Sequence, residues 1–299
     1  MTRRASIDIG TNSTRLLIAD IDQHQRINTL SYAERITRLG SDKKPDGTLN
    51  EDSIERVIKV LMKYKEQIDK NQVQNINVFA TSAARDASNK DTLVRRIADA
   101  GFECRILTGT EEAELAFRGA MSDMPQHGHN LVCDIGGGST EFITSVNGEI
   151  ESTQSVDIGS RRLTQLYLHS DPPKVSEINE FLQHVENELS QNHWPDFSLD
   201  RLVVLGGTAF TLALMDAETD ISHPERAHHY QLELSSLHRL IEVMTGQPES
   251  SRKELTGLHP ERADTINAGA LILQAIMKKV GIQKTTISLR DALYGILVK

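Results

Sequence analysis

Cysteine, aromatic residues and long apolar runs are all scarce in this chain. Its 299 residues include two cysteines and 4% aromatics. Cys104 and Cys133 are too few for a disulfide framework, and each lies in a strand-like segment where a buried free thiol is ordinary. No apolar stretch approaches the roughly 18 residues needed to cross a bilayer. The N-terminus, MTRRASIDIG, passes from two arginines directly into a strand and leaves no room for the apolar core of a signal peptide. The expectation is a cytoplasmic protein with no membrane partner. Positive charge is also in deficit, 33 Lys and Arg against 42 Asp and Glu for a net charge of -9. That balance argues against a general nucleic-acid binder. A polyanionic substrate would need local arginines, and Arg15, Arg35, Arg38, Arg85, Arg118, Arg161 and Arg162 lie beside the motif-like segments. Neither GxxxxGK[ST] nor GxGxxG occurs, so a P-loop and a dinucleotide fingerprint are both excluded.

What the chain does contain is a repeat. IDIGTNSTRLL runs from Ile7 to Leu17 and DIGGGSTEFI from Asp134 to Ile143. Aligned on their aspartates, about 126 residues apart, both read Asp-Ile-Gly-x-x-Ser-Thr-x and then two apolar residues. A duplicated domain is the simplest cause. Each copy reads as a strand, a tight turn and a second strand. The glycines, Gly10 in one copy and Gly136, Gly137 and Gly138 in the other, let a ligand approach the backbone and meet successive N–H groups. Phosphate is the expected guest of such an anion nest. Asp8 and Asp134, ending the first strand of each copy, are hard oxygen ligands suited to Mg²⁺.

Around these hairpins strands and helices alternate. Apolar spacing predicts a helix over Asn50 to Asp69. Thr108-Gly-Thr-Glu111 has the spacing of a capping box and opens a helix to about Met121. A linker is expected at Ser122 to Asn130. In the second half, Arg201 to Leu205 ends in Gly206-Gly207-Thr208 before a helix, a second corner compatible with phosphate because a helix N-terminus carries unpaired N–H groups. A final helix is expected to run to Lys299. At about 150 residues per domain, the length suggests an N-terminal domain over 1–123, with the last helix (about 289–299) packing back on it, and a C-terminal domain over 124–299. His223, His228 and His229 fall in the polar 216–231 segment, where their spacing matches no standard zinc pattern and solvated histidines are ordinary.

Several segments together carry a resemblance: IDIGTNSTRLLIAD, VFATSAARDASN (Val78 to Asn89), ILTGTEEAELAFRGA (Ile106 to Ala120), DIGGGSTE (Asp134 to Glu141), SVDIGSRRLT (Ser155 to Thr164), VVLGGTAFTLA (Val203 to Ala213) and LHPERADTINAGALIL (Leu258 to Leu273). In order and spacing they resemble the exopolyphosphatase and guanosine pentaphosphate phosphohydrolase (Ppx/GppA) family, in its short two-domain branch. The resemblance spans nearly the whole chain. It implies an α/β fold of two ribonuclease-H-like domains of the actin, Hsp70 and sugar-kinase superfamily, facing an interdomain cleft.

The resemblance also implies roles. Glu112 would be the general base that orients water, Arg85 would bind a substrate phosphate, and Thr11, Asn12, Ser13, Ser139 and Thr140 would be further phosphate-binding donors of the two loops. Asp134 and Glu141 would handle metal and water, with Asp8 as the matching acid of the first loop and Mg²⁺ or Mn²⁺ as the ion. The substrate would be inorganic polyphosphate, short chains favoured, hydrolysed at its terminal phosphoanhydride. Guanosine pentaphosphate or a nucleoside triphosphate would serve the same chemistry, and a nonhydrolytic polyphosphate sensor is the reading from another class. A homodimer is consistent with the family.

Overall fold

The computed structural model describes residues 1–41, 46–192, 194 and 198–298. The chain divides into two units, one of Met1–Ser122 with Arg290–Lys299 and one of Asp123–Leu289. Each is built on its own sheet.

In the first unit, β1 (Thr2–Ile9), β2 (Ser13–Ile21) and β3 (Ile27–Ile36) form an antiparallel meander, and β4 (Asn75–Ala80) and β5 (Cys104–Ile106) extend it in parallel. The strand order is β3-β2-β1-β4-β5. Alternation along the strands divides the apolar residues between two faces. Ala5, Ile7, Ile9, Leu16, Ile18, Val78 and Ala80 join the core shared with α1 (Glu51–Lys70) and α3 (Lys90–Asp99). Leu17, Ala19, Ile21 and Phe79 belong to a second cluster with Leu107 and the C-terminal residues Ala292, Leu293, Tyr294 and Leu297. The chain between β4 and α3 makes a single helical turn, α2 (Ser82–Arg85). α4 (Gly109–Ala120) begins with the expected capping box: the Glu111 N–H donates to the Thr108 hydroxyl, and the Thr108 N–H donates to the Glu111 carboxylate at 2.9 Å.

The second unit repeats the plan. β6 (His129–Ile135), β7 (Thr140–Val146) and β8 (Glu149–Val156) form the meander, and β9 (Arg201–Leu205) and β11 (Lys284–Ile287) are the parallel strands. β10 (Gln231–Glu233), which sequence patterning does not anticipate, adds an antiparallel edge to β11. The order β10-β11-β9-β6-β7-β8 contains the first unit's order with one strand added. Both units are therefore ribonuclease-H-like α/β folds, and the repeated phrase marks a repeated topology. α5 (Ser160–Tyr167), α6 (Val175–Gln191), α7 (Gly206–Asp216) and α8 (Leu234–Thr245) are followed by the short α9 (Glu249–Arg252) and then α10 (Ile266–Lys279). α10 is buried on every side from Ile266 to Met277, as expected of a helix apolar all round.

The last helix departs from expectation. α11 spans only Ala292–Gly295, capped by the Asp291 carboxylate, which accepts from the Leu293 N–H at 2.9 Å. Gly295 is a poor helix former, and Lys299 lies outside the described residues. Among the described residues, no helix is long and apolar enough to cross a membrane.

Candidate active site

The two hairpin turns are built alike. The Gly10 N–H donates to the Ser13 carbonyl at 2.9 Å, and the Gly136 N–H donates to the Ser139 carbonyl at 3.0 Å. Each turn is backed by the segment after its unit's third strand. In the first unit the Thr37 and Arg38 N–H groups donate to the Asn12 carbonyl, and the Gly40 N–H donates to that of Thr11. In the second, the Ser160 N–H donates to the Gly136 carbonyl and those of Arg161 and Arg162 to Gly137, while Arg162 Nε donates to the Gly138 carbonyl at 2.7 Å. With their carbonyls drawn to α5, Gly137 and Gly138 present backbone N–H groups that find no acceptor among the described residues. Successive N–H groups presented in this way have the backbone geometry of an anion nest.

Not every expected donor is presented. The buried Thr140 hydroxyl donates to the Ile158 carbonyl at 2.6 Å, so its proton is committed to the scaffold. Thr208 is buried, with its side chain packed where α10 passes at Gly269. What Thr208 offers a ligand is its backbone N–H in the first turn of α7. Gly206 has φ +88, and a Cβ there would stand 2.9 Å from Asp134 Oδ1. The α7 N-terminus thus adjoins the aspartate of the glycine loop, because β6 and β9 pair with Asp134 opposite Leu205.

The aspartates have different neighbours. Register sets Asp8 opposite Arg15 and Asp134 opposite Glu141. Arg15 Nε donates to Asp8 Oδ2 at 3.1 Å, and the guanidinium also pairs with Asp291. Burial raises the Asp8 carboxyl above its ordinary value despite Arg15, and the two carboxylates hold the guanidinium well above its own. Asp8 Oδ1 is buried and has no hydrogen-bond partner among the described residues. In the second unit two acids face each other across the ladder, an arrangement that repels unless a cation intervenes. Glu141 is 1% exposed, and its Oε1 accepts from the Ser155 hydroxyl at 2.7 Å.

Arg85 and Glu112, 27 positions apart, meet in the first unit. Arg85 Nη1 donates to Glu112 Oε2 at 2.9 Å and to the Leu107 carbonyl at 3.2 Å. Their side chains are 25% and 12% exposed, so the pair is sheltered yet reachable. Glu111 turns to the cap and to Arg105, leaving Glu112 for other work.

A model of the Ppx/GppA phosphatase family matches residues 17–299. The chain belongs to the Ppx/GppA phosphatase family. It is 33% identical over 312 residues to Exopolyphosphatase 2 of Mycobacterium tuberculosis, covering 99% of this chain and 98% of that protein. Among solved structures, the Aquifex aeolicus member of the Ppx/GppA family is 30% identical, with a TM-score of 0.85 over 99% of this chain and 96% of that one. An exopolyphosphatase from Cytophaga hutchinsonii is 29% identical, with a TM-score of 0.90 and the same coverage.

Some residues beside the two loops of this Ppx/GppA protein carry no repeat or glycine signal. Asp291 completes the Arg15 pairing from 276 positions away, and Arg262 lies against Gly207, where any Cβ would meet its guanidinium. Arg262 belongs to the quoted LHPERADTINAGALIL segment, but nothing local assigns it to the α7 N-terminus. The cysteines have no catalytic character: burial pushes the Cys104 thiol up to about 12 and holds that of Cys133 well above its ordinary value.

Proposed function

We propose that this phosphatase is an exopolyphosphatase, hydrolysing the terminal phosphoanhydride of inorganic polyphosphate and favouring short chains. The observation that carries the reading is the sheltered Arg85–Glu112 pair at the start of α4, 2.9 Å between nitrogen and oxygen. A carboxylate beside a guanidinium matches the needs of water attack on a phosphate: the arginine draws the phosphoryl oxygens, and the glutamate orients the water and accepts its proton. Oxygen of the water forms a bond to the terminal phosphorus, the bridging P–O bond breaks, and orthophosphate leaves. In the second unit, the N–H groups of Gly137 and Gly138 and the first turn of α7 are suited to receiving phosphate oxygens.

Mg²⁺, or Mn²⁺ in its place, fits Asp134 and Glu141, the like charges that register sets side by side. Such ions are commonly held by one or two carboxylates together with substrate phosphates. When bound, the ion would offset phosphate charge. Asp8 is paired with Arg15.

The test is phosphate release by the purified protein with Mg²⁺ on short polyphosphate, long polyphosphate, guanosine pentaphosphate and ATP, with Glu112→Ala as the blank. Release from polyphosphate that disappears in the variant is the expected result. Preference for guanosine pentaphosphate or ATP would reassign the substrate, and full activity of the variant would remove Glu112 from the mechanism.

A further inference from the structure

A second constellation, apart from the glycine loop, gathers where the second unit's chain begins and ends. Asp123 is the first residue of that unit and Leu289 the last. The polar segment before β10 brings His228 and His229 to Asp123: His228 Nε2 lies 2.9 Å from Asp123 Oδ2, and His229 Nε2 lies 3.5 Å from Asp123 Oδ1. The imidazole rings stack with centroids 4.0 Å apart. His229 has φ 62 and donates its N–H to the Ile287 carbonyl at 2.8 Å, which anchors the segment against the end of β11. His223, grouped with these two by sequence, stands aside with Glu225 at 3.4 Å.

We propose that Asp123, His228 and His229 form a binding site for one divalent transition-metal ion of the zinc, cobalt or nickel type. One ligand atom from each residue lies within 4.8 Å of the other two. Tetrahedral ligands at about 2.1 Å from an ion stand about 3.4 Å apart, so a small closure of the present spacing suffices. Two imidazoles and a carboxylate select such ions over Mg²⁺, which prefers an all-oxygen shell. A water would complete four-coordination. His229 is 48% exposed and the other two are half-buried, so an ion has access.

The site's hydrogen bonds supply a distinctive consequence. The Leu289 N–H donates to His228 Nδ1 at 3.2 Å, so the ring proton of neutral His228 resides on Nε2, toward Asp123. An ion bound at Nε2 takes that proton's place. The neutral ring then carries its proton on Nδ1, facing the Leu289 N–H, and that hydrogen bond is lost. Binding therefore leaves a mark on the Leu289 amide, and the lost bond makes the site weaker than one whose second ring nitrogen faces an acceptor.

The test is titration of the full-length protein with Co²⁺ in excess Mg²⁺, followed by visible absorption and by equilibrium dialysis, in the wild type and in His229→Ala, Asp123→Asn and Glu141→Gln. The expected result is one Co²⁺ per chain, displaced by Zn²⁺, retained in Glu141→Gln and weakened at least tenfold in both other variants. Hydrogen exchange should quicken at the Leu289 amide on loading. His229→Ala removes an exposed side chain, so its folded state can be verified by circular dichroism even if Asp123→Asn fails to fold. Absence of Co²⁺ binding, binding unchanged in folded His229→Ala, or binding lost in Glu141→Gln would each overturn the proposal.

Discussion

Arg15 and Glu141 occupy the same place in two copies of one hairpin, and their opposite charges give the copies different work. Opposite Asp8, Arg15 supplies a permanent cation. Opposite Asp134, Glu141 adds a second negative charge, which on the proposed reading Mg²⁺ would offset when bound. Glu141→Gln keeps an oxygen to accept the Ser155 hydroxyl but removes the like charge. The Mg²⁺ concentration for half-maximal rate should therefore rise tenfold or more, about 1.4 kcal/mol in binding. Without Mg²⁺ the same variant should unfold no earlier than the wild type, because cross-strand repulsion is relieved. A Mg²⁺ titration of the rate and a thermal melt in chelator check the two halves. For Glu112→Gln the expectation is a fall in kcat of about 10²–10⁴, the usual contribution of a positioned acid or base, with an unchanged melt. An unaltered kcat would show that the glutamate serves only Arg85.

At the scale of elements, the loops depend on what lies behind them. Gly159, just before α5, packs so closely that a Cβ there would collide with the backbone of Gly137 and Gly138. Gly159→Ala must push the glycine loop outward, and if that loop holds phosphate as proposed, a displacement of about 1 Å can cost about a hundredfold in rate. It should lower kcat/KM while leaving Arg85–Glu112 in place, which steady-state kinetics beside a crystal structure of the variant would test. The α4 cap gives a pH-dependent case. Hydrogen bonds from the Thr108 backbone N–H and hydroxyl hold Glu111 below its ordinary value of 4.5. A depressed carboxylate contributes fully above its unfolded value, and its contribution is lost as pH falls through the folded value. Glu111→Gln should therefore flatten the fall of stability below about pH 4.5, and Thr108→Ala should cost about 1 kcal/mol near neutrality, both read from denaturant melts. The cap, the glycine turns and the α7 corner were legible in sequence because each is set by residues within a few positions. Gly159 was not singled out, since its constraint comes from backbone more than 20 positions away.

At the scale of the molecule, the duplicated phrase foretold a duplicated strand order, because an Asp-Gly turn between two apolar runs specifies a hairpin wherever it occurs. Pairings across long separations left no such local mark. The join of Asp123 to His228 spans 105 positions, and that of Arg15 to Asp291 spans 276. The second belongs to a larger dependence, because the first unit is completed only by the last residues of the chain. Ala292, Leu293, Tyr294 and Leu297 are buried beside Leu17, Ala19 and Phe79. The Ser6 hydroxyl also donates to the Leu293 carbonyl at 2.7 Å, and Arg4 donates to that of Leu297. At roughly 1.5–3 kcal/mol for each large buried side chain, losing Leu293, Tyr294 and Leu297 would cost about 5–9 kcal/mol, against a typical domain stability of about 5–15 kcal/mol. Deleting residues 290–299 should thus leave the first unit unfolded or nearly so. Among the described residues, the core of the second unit draws none from that segment, so its hydrogen-exchange protection should survive the deletion. Loss of protection confined to β1, β2 and β4 is the expected pattern. Equal loss across both sheets would mean that the units do not fold independently, and equal retention would mean that the C-terminal segment contributes far less to the first core than its burial implies.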